Sequence, residues 1–371
     1  MIKSNDSSST LLIYNMDFHK QSSVTYKECS EKNMQECYEI FYSKRYRTNT
    51  GTFLMTDTLA KLLDSKWIYS GDFNSMKDSN FDVIVTNAFH CISPEFVFDR
   101  TYWQKILDTG LKIVPMTFGF RYHKNGEFYL TDDMVYIFRQ ISERNEIGVR
   151  GEKTAEILNS YGIKNIRIVG CHSLFYHNDR NFKIYKKSPS LKEINFNFNQ
   201  CYSDFYWTHY EFCKYSVPFF KYIKKIYDDK TAKINYTMQT AFFKEWIGYS
   251  NFISYDSIKD FLMECGRYYF SVDDWIEGVK SVDMSVGTQF HGNIAAILAG
   301  VPTLEICIDD RMRELCKALK IPNIDIKDFD TEKSLEYYYD MIDYSEFNKS
   351  YCNLYDNFID YCLKNGVKLN I

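Results

Sequence analysis

Short apolar runs alternate along this chain with stretches whose apolar residues recur at helical spacing, and that alternation sets the first expectations. Phe81–Val85 and Leu111–Met116 are too short for helices and follow polar or helical-looking sequence, so each predicts a buried strand. Asn145–Val149 is a third candidate strand. Gly151–Tyr161 (GEKTAEILNSY) follows as a helix closed by Gly162, and Asn165–Val169 as a further strand. Upstream, Arg45–Leu63 (RYRTNTGTFLMTDTLAKLL) predicts a Thr-Asn-Thr-Gly turn feeding an amphipathic helix that buries Phe53, Leu54, Leu59, Leu62 and Leu63. Strands joined by helices pair in parallel, because the crossover returns the chain to the same edge of the sheet.

The first eight or so residues are polar and read as loose, with order beginning near Leu11. A polar, basic stretch, His177–Leu191, marks a linker. Beyond it Glu193–Asn199 (EINFNFN) alternates with period two, a helical aromatic stretch runs to Tyr227, and Lys233–Met238 is another strand. The most regular pattern comes late: a helix end at Trp275–Lys280, strand Asp283–Val286, helix Gly292–Leu298 ended by Gly300, strand Thr303–Cys307 and helix Arg311–Leu319. A length of 371 residues exceeds one ordinary core. The expectation is an α/β chain with parallel sheets in two domains, 1–180 and 190–325, a cleft between them, and helices over 330–371 packing back on both.

Composition narrows the function more than the fold. Hydrophobic residues at 45% and charged ones at 25% are globular values. A formal net charge of -4 gives no global field to attract nucleic acid or an anionic membrane, so any anion site must be local. The 31 Tyr and 29 Phe suit the apolar faces and hydroxyl rims of sugar rings, although an AT-rich genome gives the same excess. Eleven cysteines without a C-x-x-C pair predict buried thiols in a reducing compartment rather than a disulfide frame or zinc site. The start has one lysine and a four-residue apolar run, and no 18 apolar residues run together. The expectation is a cytoplasmic protein without a spanning segment, with peripheral attachment to the inner membrane face left open.

The sharpest candidate chemistry lies in Val286–Pro302 (VGTQFHGNIAAILAGVP). A strand ending at Val286 passes through Gly287, Thr288 and Gln289 into a helix starting near His291, Gly292 and Asn293. That turn presents backbone N–H groups and the positive end of a helix dipole to a phosphate or carboxylate. His291 sits at its mouth, where an imidazole can bond an anion or exchange a proton, and Gly292 admits close approach. In DDRMREL, Arg311 and Arg313 are candidates for a bidentate anion clamp, the alternative being a helix start capped by Asp310. Arg150, at a strand end in IGVRGEKT, would face the cleft or else pair on the surface with Glu152 or Glu156. Asn49 and Gly51, Asn87 with His90, Gly119 with Arg121, and Gln239 are weaker cleft candidates. Asp325, Asp328 and Asp330 cluster near KDFD without the convergence a metal site requires. Dinucleotide, Walker, H-E-x-x-H and G-x-S-x-G signatures are absent.

Arg45–Leu63, Ile147–Gly170 (IGVRGEKTAEILNSYGIKNIRIVG), Trp275–Pro302 (WIEGVKSVDMSVGTQFHGNIAAILAGVP) and Asp309–Pro322 (DDRMRELCKALKIP), in this order, resemble the polysaccharide pyruvyltransferase family. The resemblance implies two Rossmann-like domains facing across a cleft, as in GT-B glycosyltransferases, with the acceptor on the N-terminal side and the donor on the C-terminal side. It implies phosphoenolpyruvate as donor, no cofactor or metal, and a sugar of a surface polysaccharide or its lipid-linked oligosaccharide precursor as acceptor. A pyruvyl ketal would bridge two hydroxyls, with His291 and Arg150 catalytic and Arg311 neutralising donor charge. The family places arginine where this chain has Gln289, and proline where it has His172. Losing the arginine gives up a charge-assisted contact of about 1.5 to 3 kcal/mol. A nucleotide-sugar glycosyltransferase and a non-catalytic glycan-binding relative are the rival readings.

Overall fold

The computed structural model describes residues 10–14, 23–25, 27–28, 50–69, 81–92, 98–120, 128–186, 191–198, 209–239 and 255–371. Asn49, Arg121 and the polar first eight residues lie outside them.

Two largely parallel sheets are present among the described residues. The first comprises β1 (Thr10–Tyr14), β3 (Ser65–Tyr69), β4 (Val83–Thr86) and β5 (Lys112–Pro115) in the order β3-β1-β4-β5. A short parallel pair, β6 (Ile147–Val149) and β7 (Ile166–Ile168), continues from it, because Phe118 bridges Val149 just beyond β5. The second sheet holds β8 (Glu193–Asn197), β9 (Lys233–Thr237), β10 (Gly266–Tyr269), β11 (Met284–Gly287), β12 (Thr303–Cys307) and β13 (Asn323–Asp325). Its order is β13-β12-β11-β8-β9-β10-β2, and only β2 (Ser23–Thr25) runs antiparallel. The early segment β2 thus completes the edge of the sheet built by the second half.

Helices cover these sheets, and most begin where a side chain caps them. α1 (Thr50–Leu62) buries Phe53, Leu54, Leu59 and Leu62 as its apolar spacing predicts. α2 (Arg100–Asp108) starts at Asp99 and α3 (Asp132–Arg144) at Thr131, each cap accepting a backbone N–H of the first turn. α4 (Glu152–Ser160) follows β6; α5 (His209–Asp228), α6 (Tyr255–Cys265) and α7 (Val272–Val279) surround the second sheet. α8 (Phe290–Leu298) is buried at nearly every position, in keeping with its alanines lying flat on the sheet. α9 (Asp310–Leu319) is capped by Asp309, not by Asp310. Among the described residues no helix is long and apolar enough to cross a membrane.

The two C-terminal helices, α10 (Leu335–Met341) and α11 (Ser345–Lys364), return over the molecule. Tyr361 on α11 donates to Pro115 O (2.7 Å) and accepts from Gly148 N (2.9 Å), tying that helix to the first sheet. Tyr344 accepts from Thr303 N (3.2 Å) in the second. One apolar cluster runs continuously from α1 through the 172–175 turn and α8 into α11, so a common core supports both sheets.

Strand order fixes where a ligand belongs. In the second sheet the order reverses between β8 and β11, and in the first between β1 and β4. Open parallel sheets bind ligands outside the carboxyl ends of strands at such reversal points.

Candidate active site

The carboxyl ends of β8 and β11 are joined by a buried amide network. Thr237 Oγ1 donates to Asn195 Oδ1 (2.7 Å), and Asn195 Nδ2 to Ser285 Oγ (2.8 Å). Ser285 Oγ (3.0 Å) and Asn197 Nδ2 (2.7 Å) both donate to Asn293 Oδ1. Asn293 Nδ2 donates in turn to Gly287 O (3.1 Å) and Glu305 Oε2 (2.8 Å). Asn197 Oδ1 accepts from Gln289 N (2.9 Å), and Asn197 O from Thr288 N (2.9 Å). Every hydrogen-bonding capacity of Asn293 is therefore used inside the protein. It locks the turn that carries His291 instead of binding donor, which corrects the sequence expectation.

His291, on the first turn of α8, keeps part of its surface open. Its Nε2 lies 3.7 Å from the thiol of Cys171, a residue of the first half. Burial, then Arg311, His90, Arg150 and His172, holds its imidazole well below the ordinary histidine range, so the ring is neutral in the ligand-free site. Those neighbours come from both halves of the chain. His90 follows β4, its Nδ1 2.8 Å from Asn87 O, and Asn87 Nδ2 reaches Thr56 Oγ1 of α1 at 3.5 Å.

Arg150 is 3% exposed rather than on the surface, and neither Glu152 nor Glu156 holds it; Glu152 pairs with Lys317. Its Nε and Nη1 have no hydrogen-bond partner. The guanidinium lies over Gly119, where an added Cβ would come within 2.3 Å of Nε. Burial and the like charge of Arg311 both oppose its positive charge. A buried, unsatisfied guanidinium facing a second one costs stability, and a bound anion would repay it. Arg311 sits in the first turn of α9, 3.6 Å from Asp309 Oδ2.

Other unsatisfied groups surround the same turn. Thr50 N donates to Gln239 O (2.9 Å), bringing the start of α1, with Gly51 buried beside it, against the end of β9. Thr50 Oγ1, Gln239 Nε2 and Gln289 Oε1 are buried without partners. Gly292 does serve close approach, but of protein: an added Cβ would lie 2.7 Å from Gln239 Nε2.

Arg313 does not join Arg311. It is held by Asp310 and Asp325, because residues two apart on a helix point to nearly opposite sides. Glu314, which the sequence reading did not single out, reaches across the halves: its oxygens accept from Thr154 N (3.0 Å) and Thr154 Oγ1 (2.7 Å), capping α4 beside Arg150. Lys153 pairs with Asp310 along the same seam. His172 is fully buried. It donates from Nε2 to Met55 O (2.8 Å), so its Nδ1 accepts from Thr117 Oγ1 (2.7 Å). Thr117 holds φ of 59°, a left-handed conformation that costs a β-branched residue about 1 to 3 kcal/mol. Five of the described cysteines, Cys171, Cys265, Cys307, Cys316 and Cys362, are buried thiols, and Cys91 and Cys352 are half-buried.

In overall structure the chain is similar to the UDP-GlcNAc 2-epimerase of Neisseria meningitidis, solved with UDP-GlcNAc (9% identity, 96% of this chain, 99% of that one, TM-score 0.50). Lower similarity extends to the UDP-GlcNAc 2-epimerase of Methanocaldococcus jannaschii (10%, 90% and 92%, TM-score 0.40). The glycosyltransferase SnogD of Streptomyces nogalater is similar at 10% identity (89% and 81%, TM-score 0.34). The first of these likenesses supports the GT-B-like architecture of two facing α/β units. No curated protein matches the sequence. The sequence profile described as "Polysaccharide pyruvyl transferase" matches residues 109–307, just over half of the chain, across both Arg150 and His291. By that match the chain belongs to the polysaccharide pyruvyl transferase family and is a transferase.

Proposed function

We propose that the cleft holds phosphoenolpyruvate and transfers its pyruvyl group, as a ketal, to two hydroxyls of a sugar in a surface polysaccharide or its lipid-linked precursor, on the cytoplasmic side. The single observation that supports this most is Arg150, a buried guanidinium with two unpartnered nitrogens, set opposite Arg311 and His291 from the other half. Two arginines from opposite sides suit a small ligand carrying both carboxylate and phosphate. They also compensate for the neutral Gln289.

His291 then has a defined part. The neutral ring gains basicity when donor charge offsets the surrounding cations, so it takes up a proton only with donor in place. A proton delivered to the enol carbon C3 makes C2 electrophilic, one sugar hydroxyl adds there, and phosphate leaves toward the first turn of α8. The second hydroxyl closes the ketal. The two hydroxyl protons balance the one added at C3 and the one carried off by phosphate. The scheme needs no metal or cofactor. The acceptor would enter along α1, between Asn87 and Gln239.

The neutral amides of Gln239 and Gln289 favour one rival, a nucleotide-sugar donor. Thermal unfolding with phosphoenolpyruvate, UDP, GDP and CMP separates the two. Stabilisation by phosphoenolpyruvate, followed by a pyruvate-sized mass gain on an acceptor glycan, is the expected result. Stabilisation by a nucleotide and not by phosphoenolpyruvate would overturn the proposal.

A further inference from the structure

Glu305 occupies the middle of β12 between Leu304 and Ile306, with 1% of its surface exposed. Only one of its oxygens is engaged: Oε2 accepts from Asn293, while Oε1 is buried without a partner. A half-satisfied carboxyl in a strand interior costs stability, and packing gains nothing from it. Its placement is specific. Asn293 links it to the turn bearing His291, and β12 runs straight into Asp309 and Arg311 at the start of α9.

We propose that Glu305 is the counter-charge that regulates the anion site: ionised, it competes with a bound anion for the positive field of Arg311, and protonated, it leaves that field to the ligand. This inference rests on the anion-site reading above and extends it to a positioning residue that touches no substrate. Burial first of all lifts its carboxyl to about 8, with Asp309 raising it and Asn293 and Arg311 lowering it. The change of charge therefore falls just above neutrality, where deprotonation places a negative charge on the carboxyl bonded to Asn293.

The other groups facing Glu305 leave that window clear. From α9, Cys316 is pushed well up, chiefly by burial, and Tyr344 ahead of α11 is likewise pushed up. His291, on the first turn of α8, is held low, chiefly by burial, and is neutral until an anion offsets the cations around it. Glu314 beside Arg150 is a second raised carboxyl, and both of its oxygens are occupied by Thr154. A substitution at 305 separates the two acids.

Sulfate, a dianion that does not titrate in this range, is the probe. Its affinity for the full-length protein is measured by calorimetry from pH 7 to 9.5. In the wild type it should fall at least about fivefold as Glu305 ionises. Glu305→Gln, which keeps an acceptor for Asn293, should bind sulfate at pH 9.5 as tightly as the wild type does at pH 7. Parallel profiles in the two proteins would overturn the inference. Should the variant fail to fold, His291→Gln, which removes the ring that also gains a proton with an anion, takes its place. At pH 8.5, sulfate titrations of that protein in buffers of different ionisation enthalpy should show proton uptake, and none would overturn the inference. Sulfate that fails to bind at any pH sinks the anion site itself, a different failure from binding without linkage to residue 305.

Discussion

Replacing Arg150 by methionine should stabilise the ligand-free protein while destroying its anion site. The side chain is 3% exposed, two of its nitrogens lack partners, and after burial the like-signed Arg311 opposes its charge most. Exchanging a buried charge for an apolar chain of similar length is expected to stabilise by about 1 to 3 kcal/mol. At about 1.3 °C per kcal/mol for a chain of this size, Tm should rise by about 1 to 4 °C. The same change removes at least two charge-assisted bonds to an anion, about 1.5 to 3 kcal/mol each, or at least about a hundredfold in affinity. Scanning fluorimetry with and without phosphoenolpyruvate reads both effects. A hundredfold excess over the wild-type Kd should stabilise the wild type by about 2.7 kcal/mol and Arg150→Met by no more than about 0.4 kcal/mol. A variant that is less stable than the free wild type, yet still stabilised by the donor, would refute the reasoning and make Arg150 a structural pillar.

Gly119→Ala should reproduce the functional loss without touching a charge. Its Cβ would press to 2.3 Å from Arg150 Nε, displacing the guanidinium, and transfer activity should fall at least about tenfold with only a small drop in Tm. His172→Gln should flatten the acid side of the stability profile. Burial depresses the His172 ring to about 4 from 6.5, so its contribution is complete above pH 6.5 and disappears as pH falls toward 4. That loss is about 3 kcal/mol in the wild type, measurable by urea unfolding at a series of pH values. A wild-type profile that stays level from pH 6.5 to 4 would contradict it.

Local signals made the second half readable: Thr303–Cys307 is a strand with the expected ends, and the helix after Gln289 starts one residue before His291. β3 and β10, five residues or fewer with a lysine or arginine inside, and the three-residue β2 were not anticipated, since such segments carry little periodicity. Residue type also proved a better guide than direction. Arg311 and Arg313 look equivalent in sequence, and only the helix turn separates the one near His291 from the one tied to Asp325. Asn293 looks like a ligand contact in sequence because it lies at the start of the helix after Gln289; that its amide faces inward is set by β8, about a hundred residues away. The thiol of Cys171 beside His291 and the Glu314 cap depend on contacts between segments over a hundred residues apart, and Arg150 packs on Gly119 from another strand end, none of which a local pattern records.

The Glu314 cap on α4 bears on how such proteins exchange parts. Thr154 and Glu314 sit 160 positions apart, yet they form one joint whose two pieces only work together. A hybrid that takes its front from one relative and its back from another inherits half of that joint. Recombination would therefore pass most easily between parents that agree at both places, and an artificial hybrid would need the pair transplanted as a set.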